Sequence, residues 1–322
     1  MRILVTGASG FLGRTVVERC QRDPIVAVRS AVRKRHGNPK DGRDVVQTGD
    51  LGAVRDWRPA LTDVNVVIHT AARVHIMQEN ASDPLELYRH VNVEATTRLA
   101  TAAASLGVRR FVFVSSVKVN GDATAPGRAY TPDDVPAAVD AYGASKWEAE
   151  QALLRISSAT GMEVVIVRPV LIYGPGVKAN FLAMMRWLQR GVPLPFAAVR
   201  NSRSLAFVEN VADLIYCCHS HPAAVNQTFL VSDGEDLSTP ELLRRTAQAL
   251  GTAAHLVSVP PSLLVAALRL LRRPDIAQRL CGSLQVDIRK TRDLLDWTAP
   301  FSVDDALLST ARWFLESRAR HR

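Results

Sequence analysis

A tyrosine and a lysine, Tyr142 and Lys146, stand four positions apart in the second quarter of the sequence. If this stretch is helical, both side chains leave the same face one turn apart and can reach one site. A tyrosine with its ordinary pKa of about 10 is a poor base at neutral pH, but an ammonium group beside it favours the phenolate. Lowering this pKa by about three units requires about 4 kcal/mol of differential interaction. The pair is therefore a candidate proton-transfer centre.

Ser116 is the third candidate for this centre. It follows an apolar run at residues 111–114 that predicts a strand, and a helix carrying Tyr142 and Lys146 is predicted to begin near Ala141. A hydroxyl at the strand end can donate to the tyrosine oxygen and orient it. Such a group of three could interconvert an alcohol and a ketone. A Tyr-x-x-x-Lys pair alone is common on exposed helices. The surrounding elements must therefore show whether this pair belongs to an active site.

The N-terminal segment predicts a strand, a turn and a helix. Residues 3–5 form a short apolar run, typical of a strand buried on both faces. Gly7 then permits a tight exit, Gly10 lets the backbone approach a pyrophosphate, and Gly13 lets the next helix lie close to the sheet. That helix, predicted over residues 14–22, directs its free N–H groups at the phosphates. The segment predicts a dinucleotide site whose nicotinamide would lie beside the proton-transfer centre.

A basic residue ends the second predicted strand, at residues 25–32. Arg33 lies 20 positions after Gly13, and Lys34 and Arg35 follow it. At this point of a dinucleotide fold, an acid binds the 2′-hydroxyl of NAD, whereas an arginine accommodates the 2′-phosphate of NADP. The sequence therefore favours NADP over NAD. The alternative interpretation is a solvated basic loop.

The rest of the chain alternates strands with helices. Further strands are predicted over residues 44–51, 64–72 and 228–231, and a helix over 85–106 contains Asn92, an unfavourable residue in a helix unless it has a specific role. This alternation predicts an α/β fold with a doubly wound parallel sheet of the Rossmann type and a smaller C-terminal substrate lobe.

The composition of the chain limits the classes of protein to which it can belong. The chain has 322 residues, 47% hydrophobic content and a net charge of +9, with its 40 Lys and Arg residues scattered along it. We interpret the charge as a surface that attracts small anions, and we expect no nucleic acid partner. A functional strand at the N-terminus leaves no room for a signal peptide, and no run approaches the roughly 20 apolar residues of a transmembrane segment. We expect a cytoplasmic protein.

Two other features are interpreted as structural. Cys217 and Cys218 are adjacent to two histidines, but adjacent cysteines are poorly spaced for one tetrahedral zinc ion, so we predict no metal site. Residues 263–271, followed by Arg272 and Arg273, form an amphipathic stretch. It is either a helix of the substrate lobe or one that lies on a membrane surface.

These motifs make the chain resemble the extended short-chain dehydrogenases/reductases of the nucleotide-sugar epimerase and dehydratase type. The resemblance covers nearly the whole length, with the motifs in family order. It implies catalysis by Ser116, Tyr142 and Lys146, and a UDP-sugar substrate bound by Ser116, Asn180 and Arg203. Asp50 and Leu51 would lie by the adenine, residues 69–72 would line the cofactor, and Asn92 would support the active-site relay. The candidate cofactor-binding residues are Gly7, Gly10, Phe11, Leu12, Gly13, Arg33, Asp50, Leu51, Ala71, Ala72, Asn92, Tyr142, Lys146 and Pro169.

The same resemblance implies two lobes. Residues 1–168, with 203–232 returning to them, would form the dinucleotide-binding domain. Residues 169–202 and 233–322 would form the substrate lobe. A homodimer is compatible with this resemblance.

Departures from the family pattern reduce the number of activities that the resemblance allows. Val117 and Lys118 stand where the similar 4,6-dehydratases carry an Asp-Glu pair, so dehydration is not expected. Asn120 replaces a tyrosine usual in epimerases. Together with residues 177–181 and 200–205, these features most resemble UDP-N-acetylquinovosamine-type 4-ketoreductases of bacterial surface-polysaccharide pathways. The main hypothesis is therefore 4-keto reduction or 4-dehydrogenation of a nucleoside-diphosphate sugar. The alternatives are a UDP-sugar 4-epimerase with tightly bound NAD and a non-catalytic NAD(P)-binding regulator.

Overall fold

The large sheet of the protein has seven parallel strands. A computed structural model describes residues 1–34, 44–74, 84–125, 127–270 and 274–319. The strands of this sheet are β1 (Arg2–Thr6), β2 (Ala27–Val32), β3 (Asp44–Gln47), β4 (Val66–His69), β5 (Arg110–Val114), β6 (Glu163–Pro169) and β9 (Thr228–Val231). Their order is β3-β2-β1-β4-β5-β6-β9. The chain winds outward from β1 in both directions, so a crevice lies at the carboxyl ends of β1 and β4.

Helices cover both faces of this sheet. They are α1 (Phe11–Gln21), α2 (Arg58–Leu61), α3 (Pro84–Tyr88), α4 (Ala95–Ser105), α5 (Ala141–Thr160) and α7 (Val208–Ser220). Successive side chains of a strand point to opposite faces. Ile3 and Val5 of β1 therefore join the core formed with α1 and α7, whereas Leu4 joins the core formed with α4 and α5. Burial on both faces explains the continuous apolar run in the sequence, and the predicted Rossmann fold is confirmed.

The helix predicted over residues 85–106 is interrupted. Between α3 and α4, the segment Arg89–Glu94 is π-helical, and Asn92 lies buried within it. Such wide turns occur mostly as single insertions in α-helices, frequently at functional sites. The asparagine that is unfavourable in a regular helix thus lies where the helix departs from regular geometry.

A three-stranded sheet forms the centre of the smaller lobe. Its strands are β7 (Leu171–Tyr173), β8 (Arg203–Phe207) and β10 (Asp236–Leu237), in the order β10-β8-β7. The helices of this lobe are α6 (Ala179–Gln189), α8 (Thr239–Ala249), α9 (Pro261–Leu270), α10 (Pro274–Cys281) and α12 (Val303–Ala319), whereas α11 (Arg289–Leu295) packs against β9 of the large sheet. Tyr173, Phe207 and Phe314 are buried in the core of the smaller lobe. A second hydrophobic core thus accompanies the large sheet.

The chain crosses between the two cores more than once. After β8, which belongs to the small sheet, it returns to the large one with α7 and β9. Leu295 and Trp297, late in the sequence, also pack into the core of the large sheet. The exact division at residues 168, 203 and 233 stays a prediction.

The amphipathic stretch corresponds to α9, while Leu271, Arg272 and Arg273 lie outside the described residues. Leu263 and Leu270 are exposed, whereas Leu264 packs against the core of the small lobe. Among the described helices, none has the length and apolar character needed to cross a bilayer.

Candidate active site

The glycine turn between β1 and α1 is tightly packed. Gly7 has a φ of +68°, and a Cβ there would lie 2.8 Å from the backbone of Ala71. A Cβ on Gly13 would lie 2.1 Å from the carbonyl oxygen of Gly7. Larger side chains at either position would force the turn apart. The turn is also held against Thr70 and Ala71, which follow β4 at the crevice.

The start of α1 offers its backbone N–H groups to an anion. Gly10 is the exposed N-cap, so the helix has no capping side chain, and its first turn contains no acid. Phe11 and Leu12 begin the helix directly after it. A phosphate is favoured there by both the unpaired donors and the helix dipole. These residues therefore fit the pyrophosphate of a dinucleotide.

The two residues predicted to lie near the adenosine differ in their surroundings. Arg33 is exposed and directly follows β2, where the sequence analysis expected it; Arg35 lies outside the described residues. Asp50 caps the turn that begins at Leu51, because its Oδ1 accepts a hydrogen bond from the Gly52 amide at 3.1 Å. Asp50 therefore stabilises the turn next to the crevice, whereas the Arg33 side chain is exposed to solvent.

Asn92 connects the crevice to the helix that carries the tyrosine. Its Oδ1 accepts a hydrogen bond from the Arg73 amide at 2.8 Å, and its Nδ2 donates to the Arg73 carbonyl and to Ser145 Oγ. Ser145 Oγ in turn donates to the carbonyl oxygen of Tyr142. Asn92 thus fixes the segment after β4 against the start of α5, without touching the tyrosine hydroxyl itself.

His69, which the resemblance placed on the cofactor, faces the protein interior instead. Its ring nitrogens lie 2.7 Å from Thr6 Oγ1 and 3.0 Å from Thr96 Oγ1, and the residue is fully buried. Burial lowers the pKa of His69 to about 3, and the Lys146 ammonium adds to this lowering. Because its ring is enclosed within the sheet layers, His69 cannot line the cofactor; the residues after it remain candidates.

The three proton-transfer candidates converge at the carboxyl end of β5. Asp140 caps α5 by accepting a hydrogen bond from the Gly143 amide at 2.7 Å, which places Tyr142 in the first turn. The Ser116 hydroxyl lowers the pKa of Tyr142, so the two side chains lie close together. Lys146 is 2% exposed, and its Nζ lies 4.2 Å from the centre of the Phe113 ring. The hydroxyl of Ser116 thus acts on the phenol of Tyr142, while the ammonium of Lys146 lies one helical turn further along, over the Phe113 ring.

Burial opposes the charged forms of both ionisable groups. It raises the pKa of Tyr142 to about 12, against the lowering effect of its hydrogen bond with Ser116. It lowers the pKa of Lys146 to about 7, against the raising effect of Glu150. The lowered tyrosine pKa expected from the sequence is therefore not found, because desolvation penalises the phenolate. At neutral pH, Tyr142 holds its proton and can donate it.

A buried ion pair that the sequence analysis missed lies behind this centre. Arg168 donates to both carboxylate oxygens of Glu150, at 2.9 and 2.6 Å, and its Nη1 donates to Asn120 Oδ1 at 3.1 Å. Ser115, next to Ser116, donates to the same carboxylate. The network joins α5 to β5 and β6, next to Pro169. An acid four residues after Lys146 was the available signal.

The two predicted substrate residues lie in the small lobe. Asn180 is exposed in the first turn of α6. Arg203 begins β8, where its Nη1 donates to the Gly282 carbonyl at 3.0 Å. Burial lowers the pKa of Arg203, and Arg279 of α10 lowers it further by charge repulsion. Two arginines that face each other fit an anionic group such as a diphosphate. No motif in the sequence marks Arg279.

Comparisons with known proteins agree with this fold. A sequence model of the NAD dependent epimerase/dehydratase family matches residues 3–232. The chain belongs to this family and is an enzyme.

Among its relatives is a UDP-glucose 4-epimerase from Vibrio cholerae, 43% identical over 319 residues, covering 99% of this chain and 97% of that protein. An Escherichia coli O157:H7 N-acetyl-alpha-D-glucosaminyl-diphospho-ditrans,octacis-undecaprenol 4-epimerase is 26% identical over 80% of this chain and 75% of its own.

Solved structures share the fold at lower identity. A UDP-glucose 4-epimerase from Thermotoga maritima with UDP-glucose has a TM-score of 0.79 and 18% identity, covering 99% of this chain and 100% of that one. A UDP-glucuronic acid 4-epimerase from Bacillus cereus in complex with NAD has a TM-score of 0.78 and 16% identity, with 98% and 99% covered. The chain therefore shares the overall fold of these solved structures.

Proposed function

We propose that the protein is a UDP-sugar 4-epimerase, which oxidises and re-reduces one sugar carbon. The observation that carries this proposal is that Ser116, at the end of β5, acts on Tyr142 in the first turn of α5, with Lys146 buried one turn further along the same helix. The 43% identity with a UDP-glucose 4-epimerase over almost the full chain supports it. It was the alternative in the sequence analysis, and it now has better support than net 4-keto reduction.

Each side chain has a distinct role in this proposal. A nicotinamide dinucleotide, held by Gly7, Gly10 and Gly13, supplies hydride transfer when bound. Tyr142 moves a proton to and from the C4 oxygen of the sugar, and the hydroxyl of Ser116 orients that oxygen. Lys146, when protonated, favours the phenolate form of Tyr142 through its charge.

We expect the diphosphate to lie between Arg203 and Arg279, with Asn180 at its rim. The fit rests on charge, since a diphosphate would offset the repulsion between these two partly buried guanidinium groups. The net charge of +9 helps to attract such a substrate.

The Arg203→Ala variant tests this site. It should raise the KM for a UDP-sugar roughly tenfold or more, because a charge-assisted contact with phosphate contributes about 1.5–3 kcal/mol. The KM or Kd for the dinucleotide should stay unchanged. Steady-state kinetics gives both values, and Arg244→Ala, an exposed arginine of α8, is the control. Equal effects on substrate and dinucleotide would remove Arg203 from the substrate site.

A second candidate function is net reduction of a 4-keto UDP-sugar with NADPH, for surface-polysaccharide biosynthesis. Arg33 favours it, since it directly follows β2 and no acid accompanies it at the strand end. A net reductase must exchange its cofactor at every turnover, whereas an epimerase can keep one NAD molecule bound. Cofactor content therefore separates the two functions.

For this second candidate, the cofactor prediction is that the protein prefers NADPH and purifies largely without nicotinamide. Arg33→Asp should reverse a preference of about ten- to hundredfold, because it removes the charge-assisted contact with the 2′-phosphate. Binding titrations with both dinucleotides measure this, with Arg155→Asp, an exposed arginine of α5, as control. Stoichiometric NAD that survives gel filtration would contradict the NADP preference and strengthen the epimerase proposal.

The main proposal is tested by incubating the purified protein with UDP-glucose, and separately with its C4 epimer, without added cofactor. Chromatography should show both reactions reaching the same mixture of the two sugars. A panel of other UDP-sugars, analysed by native mass spectrometry, identifies the preferred substrate. Consumption of NADPH with a 4-keto sugar and no epimer interconversion would favour the reductase. Bound dinucleotide with no turnover on any sugar would favour the regulator.

A further inference from the structure

Lys118 occupies an unusual position beside the active site. It lies in the short 3₁₀ turn Val117–Val119 that directly follows Ser116. Its Nζ is 2.5 Å from Asp122 Oδ1 and 3.3 Å from Asp140 Oδ2, and its side chain is 29% exposed. The ammonium therefore joins the turn after β5 to the residue that caps α5.

The backbone of Lys118 contacts the same two elements. Its amide donates a hydrogen bond to Ser116 Oγ at 3.2 Å. Its carbonyl oxygen lies 2.6 Å from the point where a Cβ on Gly143 would stand, so the turn and α5 touch closely. Asp140 in turn accepts the hydrogen bond of the Gly143 amide at 2.7 Å. Lys118 thus holds Ser116 on one side and the first turn of α5 on the other.

The charge of Lys118 also balances its surroundings. The Asp140 carboxylate raises the pKa of Tyr142, and Tyr88 acts in the same direction. Ser116 acts in the opposite direction and lowers this pKa, and Lys146 lies one turn further along the helix that carries Tyr142. Without Lys118, the carboxylates of Asp122 and Asp140 would lose a shared cation near the reacting phenol.

We propose that Lys118 is a positioning residue for the proton-transfer reaction: it holds the Tyr142 hydroxyl at Ser116 by pairing with the cap of α5. This inference rests on the proposed function only for its kinetic consequence. It also gives a role to the residue that stands in place of an acid of the dehydratases.

The test compares Lys118→Met with Lys118→Arg. The methionine variant should lose turnover roughly ten- to hundredfold, because small displacements of a reacting group are costly, with the Kd for the dinucleotide unchanged. Its pH profile for sugar oxidation should shift upward by about one unit, since uncompensated carboxylates disfavour the phenolate. Lys118→Arg should recover most of the activity and the original profile.

The matched control is Lys290→Met, which removes a lysine of similar exposure (24%) from its ion pair with the more exposed Asp133, outside the site. It should leave turnover and the pH profile unchanged. A methionine variant with the wild-type pH profile, or an arginine variant as impaired as the methionine variant, would overturn the inference.

Hydrogen exchange provides a measurement that does not depend on turnover. Amides at the start of α5, residues 141–145, should exchange faster in Lys118→Met than in the wild type, because the cap loses its partner. Unchanged exchange there would overturn the positioning role. A wild-type protein with no turnover on any UDP-sugar would instead refute the proposed function, while the exchange result would still decide the role of Lys118.

Discussion

Replacing Tyr142 by phenylalanine should lower turnover by a factor of about 10²–10⁴, the usual contribution of a proton-transferring group. The change removes one oxygen and keeps the ring, which packs edge-on against Tyr88 with centroids 6.0 Å apart. Binding of the dinucleotide and of the UDP-sugar should therefore persist. Single-turnover kinetics and equilibrium titrations separate these two quantities.

Tyr216→Phe is the matched control for this experiment. Tyr216 lies on α7 and donates a hydrogen bond to Asp23 at 2.5 Å, outside the candidate site. Its loss should leave turnover intact. If the Tyr142 variant kept more than about a tenth of the activity, a proton-transfer role for Tyr142 would be untenable.

The second large effect is expected from two glycines of the same turn, which should respond differently to alanine. At Gly10 the φ is −75°, and a Cβ would meet only the Gly7 carbonyl oxygen, at 3.0 Å. Gly10→Ala should fold almost normally yet bind the dinucleotide at least about tenfold more weakly, because the methyl group occupies the approach of the pyrophosphate. Gly13→Ala should also lose about 1–3 kcal/mol or more of folding free energy, since its Cβ has no room.

Thermal unfolding and dinucleotide titration together distinguish these outcomes. Gly107→Ala is the control, because it strains a residue with a φ of +77° in open space, away from the turn. It should reduce stability without affecting binding. Normal dinucleotide affinity in Gly10→Ala would mean that the phosphates do not approach the start of α1.

The sequence predicted the large sheet well because its signals are local. Burial on both faces makes β1 and β5 continuous apolar runs, and the glycine spacing fixes the turn after β1. Arg33 was located to the end of β2 by counting from Gly13. Tyr142 and Lys146 were recognised because a helix brings residues four apart to one face.

Contacts between residues that are far apart in the sequence were harder to predict. His69 looked like part of the cofactor crevice, but its ring is enclosed by Thr6 and Thr96, from two other elements. Glu150 and Arg168 form their ion pair only when α5 packs on β6. The pKa of Tyr142 depends on desolvation by the whole fold, which a motif of two residues does not contain.

The π-helical segment Arg89–Glu94 has a consequence at the level of the gene. A turn of this kind amounts to one residue inserted into an α-helix. Losing one codon there would restore ordinary helical bonding and rotate α3 by about 100° relative to α4. Tyr88 would then turn away from Tyr142, and Asn92 would leave its bonds to Arg73 and Ser145. Deleting a single codon in this segment would therefore remove the contacts that Asn92 and Tyr88 make with the helix that carries Tyr142.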